Sequence, residues 1–148
     1  MKFSMKSRYG LRALIDLSIH SKREHVALNS IAERNAISPQ YLEQVFASLR
    51  KAGIVKSIKG PQGGYLLAAE AKEITVASII EALEGAYWLA EETVPGECRF
   101  RGGAAAVQKL LIDRVNEELE QILTNLTLAD LEREALEYSD YAENMYYI

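Results

Sequence analysis

Cysteine and histidine are almost absent from this sequence. Its 148 residues contain one cysteine, Cys98, and two histidines, His20 and His25. A single cysteine excludes an intramolecular disulfide and a structural zinc site built from several cysteines of one chain. Neither histidine has a spacing typical of metal ligands, so packed or solvated roles are the simpler interpretation. No phosphate-binding glycine loop and no acid–base pair stands out, and the sequence therefore predicts no enzyme and no metal site.

Long apolar runs are also missing. None approaches the ~18 residues that a membrane span needs, and Asp16 interrupts the segment where a signal peptide would be apolar. The composition, 49% hydrophobic and 26% charged, is typical of one globular domain that buries a core without disulfides. We therefore expect a cytoplasmic protein with no membrane segment.

Charge is present but unevenly distributed. Residues 1–67 contain 11 Lys+Arg and 4 Asp+Glu, a net charge of +7, whereas residues 68–148 contain 6 Lys+Arg and 17 Asp+Glu, a net charge of −11. A basic half predicts contact with a polyanion such as nucleic acid. Uneven solvation of surface helices would give the same asymmetry, and charge alone does not decide between the two.

The basic half contains the pattern of a helix-turn-helix. An amphipathic helix is predicted over residues 4–20, followed by a short helix that Asn29 or Ser30 could cap. Ser38 then supplies the N-cap of a helix over residues 39–52, which begins with a proline and is ended by a glycine. Two short helices joined by a turn of about three residues are what a helix-turn-helix requires.

The second of these helices has an apolar face and a polar outward face. At ~100° per residue, Gln40, Gln44 and Lys51 point away from the apolar face, with Tyr41 and Glu43 at its flanks. Glutamine can form two hydrogen bonds with adenine in the major groove, and glutamate can accept one from cytosine. An amphipathic helix with a solvated face would show the same pattern, so this helix alone leaves both interpretations open.

A glycine-rich hairpin follows directly. Residues 54–58 are predicted to form a strand, residues 59–64 a tight turn and residues 65–67 a returning strand. Glycines in the turn permit close approach to another backbone, and Pro61 fixes the tip. Lys59 adds positive charge there. A basic hairpin after a helix-turn-helix is typical of a wing, and the ordered set is more specific than any of its parts.

The acidic half is predicted to be helical around one long loop. Thr75 can cap a helix that Gly85 ends, residues 86–103 form a loop, and a helix over residues 104–125 precedes an acidic helix capped by Thr127. The long helix would span about 33 Å and has one apolar stripe. We expect this stripe to pair with a second copy, although packing within the chain would also bury it. The stripe comprises Val107, Leu111, Val115, Leu119 and Ile122.

The loop contains Cys98, between Glu97 and Arg99. A neighbouring cation favours the thiolate and a neighbouring carboxylate opposes it, so the local charge gives no direction. The thiol is either inert and packed by Trp88 and Phe100, or it is a redox- or metal-responsive sensor. A four-cysteine cluster is disfavoured because two copies would supply only two cysteines, although histidine or carboxylate ligands leave a metal open. No cofactor is predicted.

Three motifs resemble the Rrf-two family of bacterial winged-helix regulators. They lie at residues 37–44 (ISPQYLEQ), 49–53 (LRKAG) and 59–65 (KGPQGGY). Residues 8–10 and 127–131 also match, so the resemblance covers nearly the whole chain. The family includes an iron–sulfur cluster regulator, a nitric-oxide sensor and a cysteine-metabolism repressor, and the ending at residues 146–148 is similar to the last of these.

The resemblance implies a homodimer that binds a partly palindromic operator and usually represses transcription. It places base-reading contacts on Ser38, Gln40, Glu43 and Gln44. It places wing contacts on Lys59, Pro61, Gln62 and Gly63, and N-terminal basic contacts on Lys2, Lys6 and Arg8. Tyr41, Lys51 and Gly64 complete the set of candidate DNA-binding residues. Cluster-bearing members have three cysteines in the loop before the long helix, where this sequence has only Cys98.

The sequence therefore predicts a mainly α protein, a winged helix-turn-helix with a small β-hairpin wing and a long C-terminal dimerisation helix. Residues 1–84 would form the DNA-binding region, residues 85–103 a sensor-type loop, and residues 104–148 the dimerisation helix and an acidic C-terminal segment. The expected partners are double-stranded DNA, a second copy, and a metabolite or another protein as effector. The alternative is a protein-interaction adaptor that kept the winged-helix shape without DNA contact, and the basic half argues against it.

Overall fold

Three helices form the N-terminal part of the molecule. In a computed structural model, which describes residues 3–146, they are α1 (Met5–His20), α2 (Leu28–Asn35) and α3 (Pro39–Lys51). Ser4 caps α1 by accepting a hydrogen bond from the Ser7 N–H, and Ser38 caps α3 by accepting one from the Tyr41 N–H. The first and third helices therefore begin where their capping residues predict.

The start of α2 differs from the prediction. Asn29 and Ser30 both lie inside the helix, and the N-cap is Ala27, which makes no side-chain cap. Leu28, the first helical residue, packs against the main core, so tertiary packing rather than a polar side chain sets the start. The helix ends at Ala36, whose φ of 53° is left-handed and turns the chain towards α3.

The hairpin follows α3. Its strands are β1 (Val55–Ile58) and β2 (Gly64–Leu67), paired antiparallel so that Val55 lies opposite Leu67 and Ile58 opposite Gly64. The tip between them turns at Gly60, whose φ of 115° is a conformation that favours glycine. The predicted helix-turn-helix with a β-hairpin wing is confirmed.

The C-terminal half is helical. After a 3₁₀ turn (Ala71–Glu73) the helices are α4 (Val76–Glu84), α5 (Arg101–Val107), a π-helical segment (Gln108–Ile112), α6 (Asp113–Asn125) and α7 (Leu128–Tyr146). No helix among the described residues is long and apolar enough to cross a membrane.

The predicted boundary of the long loop is wrong by three residues. The helix starts at Arg101, so Gly102 and Gly103 are helical rather than part of the loop. The ring of Phe100 lies 3.3 Å from where a Cβ of Gly103 would stand. The glycines therefore leave room for this ring beside the first turn of the helix.

Two clusters of buried side chains form the core. The larger joins α1, α2, α3 and β1 and includes Leu128 of α7, which is fully buried. The smaller joins α4 to α6 through Ile80 and Leu123. Backbone hydrogen bonds also join the start of α4 to the start of α7, from Val76 N–H to the Leu126 carbonyl and from Leu128 N–H to the Ile74 carbonyl, each 2.8 Å. The core therefore crosses the predicted segment boundaries at residues 84 and 104.

Candidate nucleic-acid interface

The helix α3 presents a polar face to solvent. Its exposed residues include Gln40, Glu43, Gln44 and Lys51. The opposite face is buried, and its side chains are Leu42, Val45, Phe46 and Leu49. Burial of four large apolar groups fixes the rotation of the helix, so the side chains that could read bases point away from the protein.

The start of α3 is held by two of the predicted contact residues. Ser38 Oγ accepts the Tyr41 N–H at 3.1 Å and donates to Gln40 Oε1 at 3.4 Å, so its hydroxyl both caps the helix and orients the neighbouring amide. Tyr41 is half-buried, and its ring packs edge-on against Tyr9 of α1, with 5.8 Å between ring centroids. Tyr41 therefore joins α3 to α1 rather than presenting its ring to solvent.

Cations of α1 lie beside α3. Lys6 Nζ donates to Ser48 Oγ at 3.3 Å, and Arg8 is exposed. Arg12, which sequence reasoning did not select, lies 5.4 Å from the Tyr9 ring centroid and donates to the Asn35 carbonyl at 2.6 Å. Its signal in the sequence was its position one helical turn after Arg8. Lys2, the remaining predicted N-terminal contact, lies outside the described residues.

A buried carboxylate fixes the angle between α1 and α2. Asp16, 9% exposed, accepts two hydrogen bonds from Arg34, at 2.9 and 2.6 Å, and one from the Asn35 amide at 3.0 Å. The Asp16 hydrogen bond raises the pKa of the Arg34 guanidinium above its ordinary value, so the guanidinium stays charged. The network lies next to the turn that leads to α3, and nothing in the sequence singled it out.

The wing has exposed side chains at its tip and two half-buried glycines where β2 begins. Lys59, Pro61 and Gln62 are exposed. A Cβ at Gly63 would overlap the Ile58 carbonyl oxygen, and one at Gly64 would overlap the carbonyl of Val26. These two glycines therefore allow close backbone packing, and the tip residues supply the side chains that can reach a ligand.

The predicted dimerisation stripe is divided by the structure. Val107, Leu111 and Ile122 are exposed, by 49%, 54% and 58%. Val115 is half-buried, whereas Leu119 packs against the smaller core cluster of its own chain. Leu119 and Ile122 both lie in α6, where a step of three residues leaves them about 60° apart around the helix, so one can pack while the other stays exposed.

The exposed part of the stripe lines a groove along the helix. Sequence reasoning missed Leu110, which is 62% exposed and belongs to this face. The groove is lined by Leu110, Leu111, Arg114, Val115, Glu117, Glu118, Leu119 and Ile122, so Leu119 contributes both to it and to the smaller core cluster. It is an apolar surface with charges of both signs at its rim, which is the usual composition of a protein interface.

Cys98 is half-buried in the loop between α4 and α5. The two aromatic residues expected to pack it are themselves exposed, Trp88 by 55% and Phe100 by 80%. Trp88 packs edge-on against Tyr87, with 5.6 Å between ring centroids. Within residues 3–146, no three His, Cys, Asp or Glu side chains converge to hold a metal ion.

A helix-turn-helix with an exposed amide-bearing helix, followed by a basic wing, defines the class of winged-helix DNA-binding proteins. The family model described as "Rrf2: Iron-dependent Transcriptional regulator" matches residues 3–134. The HTH-type transcriptional regulator IscR of Vibrio campbellii is 38% identical over 142 residues, which cover 95% of this chain and 83% of that protein.

Solved structures of similar regulators also superpose on this chain. CymR (YrzC), described as the global cysteine regulator of B. subtilis, superposes with a TM-score of 0.77 at 38% identity, covering 90% of this chain and 98% of that one. IscR of T. potens superposes with a TM-score of 0.71 at 41% identity, covering 91% and 88%. The chain belongs to the Rrf2 family. It is a DNA-binding transcriptional regulator and not an enzyme.

The residues present do not fit an iron–sulfur cluster, although the family description names iron. Such clusters take four protein ligands, most often cysteine thiolates. This chain has one cysteine, and its described residues bring no group of three metal-ligating side chains together.

Proposed function

We propose that two copies of this protein bind a partly palindromic operator and repress transcription, as the family resemblance implies. The observation that carries the proposal is the position of the wing directly after α3, with exposed amides on the helix and an exposed lysine at the wing tip. A helix of this kind enters the major groove, and a hairpin next to it reaches the adjacent backbone.

On this proposal α3 supplies the sequence specificity. Gln40 and Gln44 are exposed one helical turn apart, so both amides can reach base edges of the same groove. Glu43, on the same face, can accept from cytosine and repel a phosphate, which favours one register over others.

The cations supply affinity. Lys59 at the wing tip, Arg8 at the start of α1 and Lys51 at the end of α3 are exposed. Lysine and arginine that neutralise phosphates release counterions, so binding should weaken steeply with salt. The acidic α6 and α7 would then face away from the duplex.

The second copy is proposed to pack against the groove of α6. Large apolar side chains exposed along one helix face are costly to leave in water, and the groove has Arg114 and Glu118 at its rim. Paired charges of opposite sign on one face are self-complementary in a two-fold dimer. Such a dimer would set two recognition helices about 34 Å apart, one turn of DNA.

The test compares DNA fragments from the promoters next to this gene with random DNA of equal length. We expect protein purified anaerobically to be colourless and to bind one fragment with higher affinity, without added cofactor. Equal binding to all fragments in every redox state would overturn the proposed function. A visible absorption band with stoichiometric iron and sulfide would overturn the cofactor-free part alone.

The same assay tests the role of the thiol. A Cys98→Ser variant that binds and responds like the parent would leave the inert interpretation standing. A variant that binds normally but loses its response to oxidant or metal would establish the sensor.

A further inference from the structure

The tip of the wing needs support that its own hairpin does not supply. Its two strands are four residues each, and the side chains at its tip are exposed. A two-stranded hairpin is only marginally ordered in water unless a third strand or a packed surface holds it.

A single residue outside the hairpin, Val26, pairs with β2 close to its start. Val26 pairs with Tyr65 through two backbone hydrogen bonds, N–H to carbonyl in each direction, at 3.0 and 2.9 Å. The ring of Tyr65 also packs against Phe46, with 4.8 Å between ring centroids. These contacts hold β2 at Tyr65, two residues after Gly63, and none of them is made by the tip residues 59–63.

The neighbouring side chain reaches the tip. His25 Nε2 lies 2.6 Å from the carbonyl oxygen of Gln62. A carbonyl only accepts, so Nε2 bears the hydrogen and the imidazole donates. Among residues 3–146, no other side chain makes a hydrogen bond to residues 59–63.

We propose that His25 is a positioning residue for DNA binding, which holds the Gln62 backbone so that the wing tip is already in its DNA-contacting conformation. The inference rests on the proposed function, since it requires the wing to contact DNA. A tip that is ordered before binding loses less conformational freedom on the duplex, and this raises affinity without a new contact. His25 therefore affects DNA binding by holding Gln62 and Lys59 in place, and it does not contact the duplex itself.

The test replaces the donor in two ways. His25→Ala removes it, and we expect operator binding to weaken about 3- to 10-fold, which is the range of one net hydrogen bond. His25→Gln keeps an N–H donor of similar reach and should restore most of the affinity. Because the Val26 pairing remains, the thermal unfolding midpoint of both variants should match that of the parent.

Two further measurements separate positioning from direct contact. Amide exchange at Gly63, whose N–H donates to the Gly60 carbonyl within the tip, should be faster in free His25→Ala. The slope of log affinity against log salt should not change, because no phosphate contact is lost. A slope reduced by about one would make His25 a phosphate contact and overturn the inference.

Double variants show whether the loss of affinity in His25→Ala arises at the wing tip or at α3. The loss caused by His25→Ala should shrink in a Lys59→Ala background and persist in full with Gln40→Ala. If Lys59→Ala leaves binding unchanged, the proposed wing contact is wrong. If Lys59→Ala weakens binding but His25→Ala does not, or His25→Gln fails to restore it, or the unfolding midpoint falls with the affinity, the positioning role is wrong and the proposed function stands.

Discussion

Gln40 and Lys59 can recognise different parts of a duplex. A carboxamide can satisfy a donor and an acceptor on adenine together, so its energy depends on the base opposite. An ammonium group interacts with phosphate, which every sequence provides. The distinction gives a direct test of the proposed interface.

The first prediction is that Gln40→Ala or Gln44→Ala loses about 1–3 kcal/mol of binding free energy at the operator and much less on random DNA. Lys59→Ala serves as the matched control and should weaken binding to both DNAs alike. Fluorescence anisotropy with labelled duplexes at fixed salt measures the affinity of each variant and of the parent for the operator and for random DNA. Equal losses on both DNAs in the glutamine variants would exclude α3 as the base-reading element.

The second prediction concerns the buried carboxylate. Asp16→Ala leaves Arg34 and Asn35 without their acceptor, and because Arg34 is 39% exposed it can recover some hydration. We expect a loss of about 2–3 kcal/mol in the free energy of unfolding. Denaturant titration followed by circular dichroism at constant protein concentration gives the value.

The control for that variant is Arg133→Ala. Its partner Asp130 is 2.6 Å away, but Arg133 is 66% exposed, so solvent screens the pair and it should contribute little to stability. A loss in Asp16→Ala no larger than in this control would mean that the buried network adds nothing to stability.

Residue-level prediction from the sequence succeeded where periodicity decides the outcome. The outward direction of Gln40 and Gln44 follows from the apolar positions of their helix. Asp16 and His25 were missed as structural residues because their partners are distant in sequence, 18 residues away for Arg34 and 37 for Gln62. Only the folded chain brings those pairs together.

At the scale of elements, α4 and α1 are joined by a carboxylate. Glu84 Oε1 accepts from the Ser4 N–H at 2.6 Å and from Ser7 Oγ at 2.7 Å. The first turn of α1 has no acidic residue of its own, so Glu84 places a negative charge at the positive end of that helix. The hydrogen bonds from Ser4 and Ser7 lower the pKa of the Glu84 carboxyl below its ordinary 4.5.

The third prediction is the pH dependence of this contact. The folded state binds the Glu84 proton less readily than the unfolded chain, so its stabilisation is complete above pH 4.5 and is lost as the pH falls through the lowered folded pKa. Glu84→Gln should be less stable than the parent at pH 7, and the difference should close in acid. Unfolding titrations from pH 7 to pH 3 measure the difference, and one that stayed constant with pH would contradict the proposed charge effect.

Element boundaries were predictable where a local signal sets them. Thr127 and Asp130 exchange hydrogen bonds, each backbone N–H to the other's side chain, and α7 starts there as a capping residue predicts. The start of α2 depends on packing by Leu28, which no local pattern encodes. The π-helical segment has no sequence signal either.

At the scale of the whole molecule, the two charge halves are joined and not separate. Glu132 of α7 is 8% exposed, accepts from Ser18 Oγ at 2.8 Å and pairs with Lys22 Nζ at 2.8 Å, both in the N-terminal part. These contacts attach α7 to α1, the helix that packs against α3.

The fourth prediction tests assembly through the groove of α6. Leu111 is 54% exposed, so Leu111→Glu places a charge in the groove without opening the core of its own chain. We expect a folded monomer at micromolar concentration, whereas Thr124→Glu, at an exposed position of α6, should assemble like the parent. Light scattering reports the mass and circular dichroism the fold.

The operator affinity of Leu111→Glu follows from its assembly. A monomer binds each half-site separately, because its recognition helix is not linked to a second one. It therefore loses the gain in affinity that effective concentration gives a dimer, a factor of about 100 or more. Its affinity for the full operator should therefore fall to that for a single half-site, while its non-specific binding per chain stays the same. Leu119→Glu is the weaker test because Leu119 packs within its own chain. If Leu111→Glu remains dimeric and binds the operator like the parent, the copies associate through another surface.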